Sequence, residues 1–311
     1  AANQVNIGGS TQTVRISEAY TLPTADGTAN QVLTTDGSGA VTFATAGGGG
    51  SPDLFAENYD GTSTQPVATG TNAVAVGLAY SSGNNSFSAS IADSTATYGA
   101  QGNYAQAIGY HAKSTGSIGL SVGPCISSGS FNSYALGSFS EATENYSWAL
   151  GRYAKSDIIG KMAYASVRLT NTTGSSQQGT YVLTGETTNA TQKLLTTDIN
   201  SASTSSRNVM LLAPSSAVTF TGLLVAREAG ATGDLCASWK IDGFARSLAN
   251  GAVTLIRESY TVLENTPGWT FDAYAFNSSP THRGVHFSVN GHATKTIYWV
   301  LTLTTSEVIT V

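Results

Sequence analysis

Two consecutive stretches decide the fold: Tyr134-Ala135-Leu136-Gly137-Ser138-Phe139-Ser140-Glu141-Ala142 and Trp148-Ala149-Leu150-Gly151-Arg152-Tyr153-Ala154-Lys155-Ser156. They are two copies of one pattern offset by fourteen residues, and the pattern extends outward from them. Gly109, Gly123, Gly137 and Gly151 share that spacing. Each follows an aliphatic residue (Ile108, Val122, Leu136, Leu150), which itself follows a small one (Ala107, Ser121, Ala135, Ala149). Two positions further back lies another small residue: Ala105, Gly119, Ser133 or Ser147. Five residues after each glycine comes Ser114, Ser128, Ala142 or Ser156. An earlier copy is Asn72-Ala73-Val74-Ala75-Val76-Gly77, and Asn85-Ser86-Phe87-Ser88-Ala89-Ser90 repeats it with Ser in place of Gly. The period breaks around Thr95-Ala96-Thr97-Tyr98-Gly99.

A glycine in every period would penalise a helix, and no a/d seam is present. Two short strands and two tight turns fit the period well, which makes one rung of a parallel β-solenoid or β-roll. Glycine supplies a turn with positive φ. Small residues are expected to face a narrow interior, with the aliphatic filling it. A roll this thin buries little apolar area per residue, so several chains are expected to pack side by side and share a core.

The Ala-Val-Ala-Val-Gly (73–77) and Ala-Gln-Ala-Ile-Gly (105–109) copies resemble the head repeats of trimeric autotransporter adhesins. That resemblance implies a trimeric, left-handed parallel β-roll. The flanks resemble phage tail fibre proteins. Tyr20-Thr21-Leu22-Pro23-Thr24-Ala25-Asp26-Gly27 with Asn30–Gly39 carries that likeness, as do Gly160–Ser166, Gly179–Leu183, Ala237–Gly243 and Ile297–Val300. The likeness implies a homotrimeric virion appendage, extracellular, attached to other phage tail or baseplate proteins.

The composition agrees with an all-β structural chain. Charged residues are 11% of the 311, hydrophobic ones 41%, and there are 34 glycines. A chain with this hydrophobic content can bury a core. The net charge of -5, with 14 scattered Lys and Arg, argues against a nucleic-acid partner. No apolar run approaches the roughly 20 residues of a membrane-spanning helix, and no membrane insertion is expected. Cys125 and Cys236 do not make a disulfide framework. The chain opens Ala1-Ala2-Asn3 without Met, as a fragment or a processed product would.

Four parts follow. Residues 1–50 form an N-terminal β segment, in which Gln31–Thr35 and Ala40–Phe43 flank the hairpin signal Asp36-Gly37. Residues 51–66 are a linker, preceded by the flexible run Gly47–Gly50. The β-roll covers 67–158. Residues 159–311 read as a β-sandwich, with alternating faces at Val218/Phe220/Leu224, Leu235/Ala237/Trp239/Ile241, Trp269/Phe271/Ala273/Ala275 and Ile297/Trp299/Leu301/Leu303. Asn290-Gly291 reads as a second hairpin turn.

Little in the sequence points to chemistry. His282 and His286 share a strand face, and His292 lies past the Asn290-Gly291 turn. They are the only metal candidates, and exposed histidines on a polar face is the favoured reading. Asp234, Asp242, Glu258, Glu264 and Asp272 offer carboxylates, but their spacing selects no pair. Known polysaccharide depolymerases of this kind also use a longer right-handed helix. The chain is therefore expected not to be an enzyme and to need no cofactor. Binding is assigned to the polar loop 277–283 with its neighbours: Tyr274, Phe276, Asn277, Ser279, Thr281, His282 and Arg283. A second polar loop spans 227–234. Trp239, Trp269 and Trp299 read as core. Tyr80, Tyr110 and Tyr153 form either an exposed ladder on the roll or wedges between protomers. The sequence thus reads as a homotrimeric tail fibre subunit adhering to a host cell-surface polysaccharide. The alternatives are a purely structural virion part, such as a head fibre or collar, and a fragment of a bacterial trimeric adhesin.

Overall fold

A computed structural model describes residues 15–16, 20–23, 27–29, 31–45, 65–124, 126–127, 131–198, 200, 207–230, 235–265 and 267–310. Cys125, the glycine run 47–50, most of the 51–66 linker and residues 231–234 lie outside that set. The described residues contain strands and turns and no helix, and hence none long and apolar enough to cross a membrane. The chain divides into two units, 1–60 and 61–311.

In the first unit the strands Gln31–Thr35 and Val41–Thr45 pair antiparallel, Gln31 with Thr45 and Thr35 with Val41. The Asp36 carboxylate accepts from the Ser38 and Ala40 amides at 2.7 and 3.1 Å. Gly37 has φ 79, which lets the chain reverse.

The second unit begins with the repeats. Among the described residues, seven short strands from Val74–Val76 to Met162–Ala165 stack in parallel on one side, and seven from Val67–Ala68 to Lys155–Ser156 on the other. This is a parallel β-solenoid. Its registers follow the sequence period: Gln106 pairs with Leu120, Leu120 with Tyr134, Tyr134 with Trp148, and Trp148 with Met162. The irregular rung is also explained. Phe87 pairs with Gln106, so the segment holding Ile91–Tyr98 is an insertion within one rung. Ser90, in the position of the repeat glycine, adopts φ 54 itself.

Alternation along each strand decides what fills the interior. Ala107, Ser121, Ala135, Ala149 and Ala163 are fully buried, as are Ala105, Ser133 and Ser147. The aliphatic next in sequence must then point outward. Ile108, Val122, Leu136 and Leu150 are accordingly only half-buried, which corrects the expectation that they fill the roll. The lumen is too narrow for them, because strands of one rung face each other across a single small side chain each. Buried serines there bond to backbone: Ser88 Oγ donates to Tyr80 O at 2.6 Å, Ser140 Oγ to Gly151 O at 2.9 Å and Ser156 Oγ to Lys161 O at 2.7 Å. The rungs are equally tight at the turn: a Cβ on Gly137 would meet Gly151 O at 1.9 Å.

The last solenoid strand, Met162–Ala165, pairs antiparallel with Ser176–Thr187. From there the same sheet continues through Ile297–Ile309, Ser216–Glu228, Cys236–Ser247 and Val253–Asn265. A second sheet holds Thr270–Ser279 and His282–Asn290, with the short strands Lys193–Leu194 and Met210–Leu211. The two share one core: Phe220 meets Phe287 edge-on at 5.5 Å, while Trp299 packs on Trp239 at 5.9 Å and Trp269 at 5.7 Å. The Asn290-Gly291 signal does not make a hairpin. Ile297–Ile309 pairs with 176–187 and 216–228 in the other sheet, because its four alternating apolar residues are buried only there.

A buried ion pair ties the end of the solenoid to the final strand. Lys161 Nζ lies 2.7 Å from Glu307 Oε2, and the same carboxylate accepts from Gln177, Thr305 and Tyr181 at 2.7, 2.7 and 3.2 Å. Burial alone would raise the Glu307 carboxyl. The Lys161 charge and the hydrogen bonds from Gln177, Lys161 and Thr305 outweigh it and hold the pKa below 4.5. Its contribution to stability is complete above that ordinary value and disappears as pH falls through the lower folded one.

Two outcomes follow. Ala149→Leu forces a branched side chain into the lumen and should cost about 2–3 kcal/mol or more, read as a fall in melting temperature by circular dichroism. Glu307→Gln should cost about 3–5 kcal/mol at neutral pH by leaving Lys161 buried without its counter-charge. It should also flatten the loss of stability below pH 4.5. A variant melting like the wild type, with the same acid limb, would contradict the role given to this pair.

Candidate functional site

The loop picked out by the sequence is the tip of the hairpin formed by 270–279 and 282–290. Phe271, Ala273 and Ala275 face Val289, Phe287 and Val285 across the hairpin and point to the core. The alternate residues Tyr274, Phe276, His282 and His286 therefore share the other face. There they form one ring cluster. Phe276 stacks on His286 at 3.6 Å, Tyr274 meets His286 edge-on at 5.6 Å, and Phe276 lies 4.8 Å from His282. Ser278 Oγ sits 2.9 Å from His282 Nδ1 and donates to His282 O at 3.0 Å.

The predicted binding set is thus divided. Phe276 and His282 are 8% and 3% exposed, so neither presents a surface to a ligand. A bulge between Asn277 and Ser279 turns them under the tip. Asn277 clamps the neighbouring strand: its Oδ1 accepts from Val253 N at 2.7 Å, and its Nδ2 donates to Val253 O at 3.0 Å. Arg283 is held the same way, donating from Nε to Ser279 O at 2.9 Å and from Nη1 to Asn250 O. Pro280 and Thr281 are exposed at the turn, while Ser279 and Tyr274 are half-buried.

The reading of exposed histidines is corrected for two of the three. His282 is buried, and His286 Nε2 is buried without a hydrogen-bond partner among the described residues. Burial, with the nearby His282 charge adding to it, pushes the His286 pKa down to about 4. His292 lies beyond the far end of the strand, its Nδ1 accepting from Thr294 N at 3.3 Å. The three imidazoles are not brought together, and no group of three metal-ligating side chains occurs among the described residues.

Of the five carboxylates, the fold makes neighbours of two. Burial raises the Glu258 pKa, and the nearby Asp272 charge raises it further. Asp242 is half-exposed beside Lys240 at 3.4 Å, with its pKa lowered first by a hydrogen bond from Thr221. Asp234 lies outside the described residues. Trp239, Trp269 and Trp299 are core, and Cys236 is a free, exposed thiol. On the solenoid, Tyr110 and Tyr153 border one cleft and Tyr80 lies in a rung strand away from it. Sequence reasoning missed the other rings of that cleft. The signal lay two residues after three of the four repeat glycines, where His111, Phe139 and Tyr153 stand.

No family model matches the chain, and no curated protein matches it. Solved structures do. One is the tailspike protein gp49 of Acinetobacter baumannii bacteriophage Fri1, described as a capsular polysaccharide depolymerase. It is 11% identical, with a TM-score of 0.25, over 70% of this chain and 35% of that one. Another is the tailspike protein of Acinetobacter baumannii phage AM24, 11% identical, with a TM-score of 0.20, over 74% of this chain and 47% of that one. The chain thus spans about a third to a half of the length of the tailspikes it matches. The expectation that it is not an enzyme is corrected here. A structural neighbour is described as a capsular polysaccharide depolymerase. At this level of similarity the likeness assigns no activity.

Because the folded state holds His286 neutral down to about pH 4 while an unfolded histidine takes its proton near 6.5, stability should fall as pH drops from 6.5 to 4. His286→Phe, which keeps the stacking on Phe276, should remove that component. Melting temperatures at pH 7, 5.5 and 4 check it. An unchanged pH profile in the variant would show that His286 does not titrate in this way.

Proposed function

We propose that the chain is a subunit of a homotrimeric phage tail component that adheres to a host cell-surface polysaccharide. One observation carries this reading: the outward face of the long sheet bears exposed apolar rows on the solenoid and a second apolar patch on the C-terminal strands. Leu120, Tyr134, Trp148 and Met162 lie in register in one row, and Val122, Leu136, Leu150 and Tyr164 in the next. Beyond them the rows turn polar, Met162 being followed by Thr180, Thr304 and Thr221, before Val182, Val300, Leu223 and Val225 form a second apolar patch on the same face. Trp148, Tyr164 and Leu223 are 40%, 55% and 56% exposed.

Soluble monomers rarely leave so extended an apolar surface in water, and such surfaces mark contacts between chains. The interior of the solenoid, filled by Ala and Ser, adds little hydrophobic stabilisation of its own. Packing copies on this face supplies the missing burial. The resemblance of the repeats and flanks to trimeric proteins supports the number three, and the tailspike neighbours agree with a place on the virion tail. A rigid trimer would also raise the avidity of weak surface sites by presenting three at once.

The purified chain should bind host cells and their extracted surface polysaccharide. Replacing residues 277–283 with Gly and Ser should reduce that binding at least tenfold if the hairpin tip is the contact. Flow cytometry with labelled protein measures it. A correctly assembled protein that binds neither cells nor polysaccharide would overturn the adhesive reading and leave a purely structural virion part.

A further inference from the structure

The cleft on the solenoid flank is built unlike the hairpin tip. It has a volume of about 210 Å³, and its lining includes Tyr98, Tyr110, His111, Phe139, Tyr153 and Arg168, with Glu141. On the first side His111 is stacked by Tyr98 at 4.2 Å and by Tyr110 at 3.8 Å. On the other side Phe139 and Tyr153 stack at 5.2 Å, nearly parallel. The two sides belong to rungs two steps apart along the solenoid, with the rung of Leu120–Val122 between them. At ~4.8 Å per rung the step from His111 to Tyr153 covers about 14 Å.

The rings are fixed before any ligand arrives. His111, Phe139 and Tyr153 sit at φ 54, 56 and 63, and their amides are bonded to the preceding rung, His111 N to Ile91 O at 2.8 Å and Tyr153 N to Ser138 O at 2.9 Å. Tyr98 comes from the insertion that breaks the sequence period. Tyr110 and Phe139 remain 60% and 53% exposed, so ring surface is open to solvent.

Charge is concentrated at the Tyr153 end. The Arg168 guanidinium lies 4.3 Å over that ring and the Arg152 guanidinium 5.0 Å from it. Arg168 makes one long hydrogen bond, from Nη1 to Asn171 O at 3.4 Å. Stacking fixes the plane of the guanidinium and leaves its edge to receive a carboxylate. Glu141 supplies an acceptor beside it, with Lys155 at 3.8 Å.

We propose that this cleft binds a short acidic oligosaccharide, with pyranose C–H faces on the aromatic rings and a hexuronate carboxylate on Arg168. The electron-rich ring faces attract the weakly positive C–H face of a sugar. A nucleic acid is disfavoured by the net charge of -5. The cleft lies at the turns between the two solenoid sheets, not on the apolar sheet face assigned to contact between chains. It shares only its ligand class with the adhesive reading and is separate from the 277–283 loop.

Trigalacturonate and its carboxyl-reduced, neutral form are suitable probes, titrated calorimetrically into the full chain. The acidic trisaccharide should bind in the micromolar to millimolar range and the neutral one at least fivefold more weakly. Tyr110→Ala with Phe139→Ala should weaken trigalacturonate at least tenfold, while Arg168→Gln should bring the two probes to equal affinity. The Gly/Ser replacement of 277–283 should change neither. Unchanged melting curves would establish that the variants fold. Absence of trigalacturonate binding in the wild type, or binding that survives the double substitution, would overturn the proposal. Loss of cell adhesion in the loop variant alone would leave the adhesive reading intact while removing the cleft from it.

Discussion

The narrowness of the solenoid lumen governs the rest of the molecule. Facing strands of a rung approach so closely that their inward positions hold small residues, as the fully buried column Ala135, Ala149 and Ala163 shows, and the one large interior side chain of the first rungs, Ile91, comes from the insertion. Strand alternation then puts the larger apolar side chains of the rung strands on the outside. In most globular domains the large side chains make the core. Here they make the surface, and the roll depends for its burial on whatever covers that surface.

The C-terminal part resolves the same constraint differently. Strand Met162–Ala165 is the last with a small interior residue on each inward position, and beyond it the sheet continues but the lumen opens. Tyr181, Leu183, Trp299, Leu301 and Phe220 now take the inward positions, and a second sheet covers them. The transition is held by the Lys161–Glu307 pair, which reaches across 146 residues of sequence to lock the first antiparallel strands onto the final rung. A charge pair is a costly way to make such a joint, but the further hydrogen bonds to Glu307 from Gln177, Thr305 and Tyr181 fix one geometry.

The sequence made much of this visible. Strict spacing of Gly109, Gly123, Gly137 and Gly151 gave the rung length and register, because glycine is demanded where each turn approaches the next rung's backbone. The alternating tryptophans marked core faces correctly, and Asp36-Gly37 marked its hairpin. What failed were inferences about direction and partnership. The aliphatic of each repeat reads as interior because it is apolar, although the small residues of the same strand occupy the inward parity. Asn290-Gly291 resembles a hairpin turn locally, yet strand 297–309 is drawn to the other sheet by burial that no local signal reports. The site residues were the least legible. Phe276 and His282 sit in a loop-tip segment by sequence, but a bulge turns them inward. The flank cleft gathers rings from four rungs and an arginine from beyond them, which only the stacked fold brings together.

The claim on which this account rests is that the outward apolar rows are covered by other copies of the chain. The most direct measurement is the molar mass of the purified protein by light scattering coupled to size exclusion, with Trp148→Lys and Tyr164→Lys substituted together in a parallel sample. The account predicts three times 31.9 kDa for the unaltered chain, and dissociation or loss of solubility when the two lysines are introduced. A stable, soluble species of 31.9 kDa at micromolar concentration, unaffected by those substitutions, would contradict it.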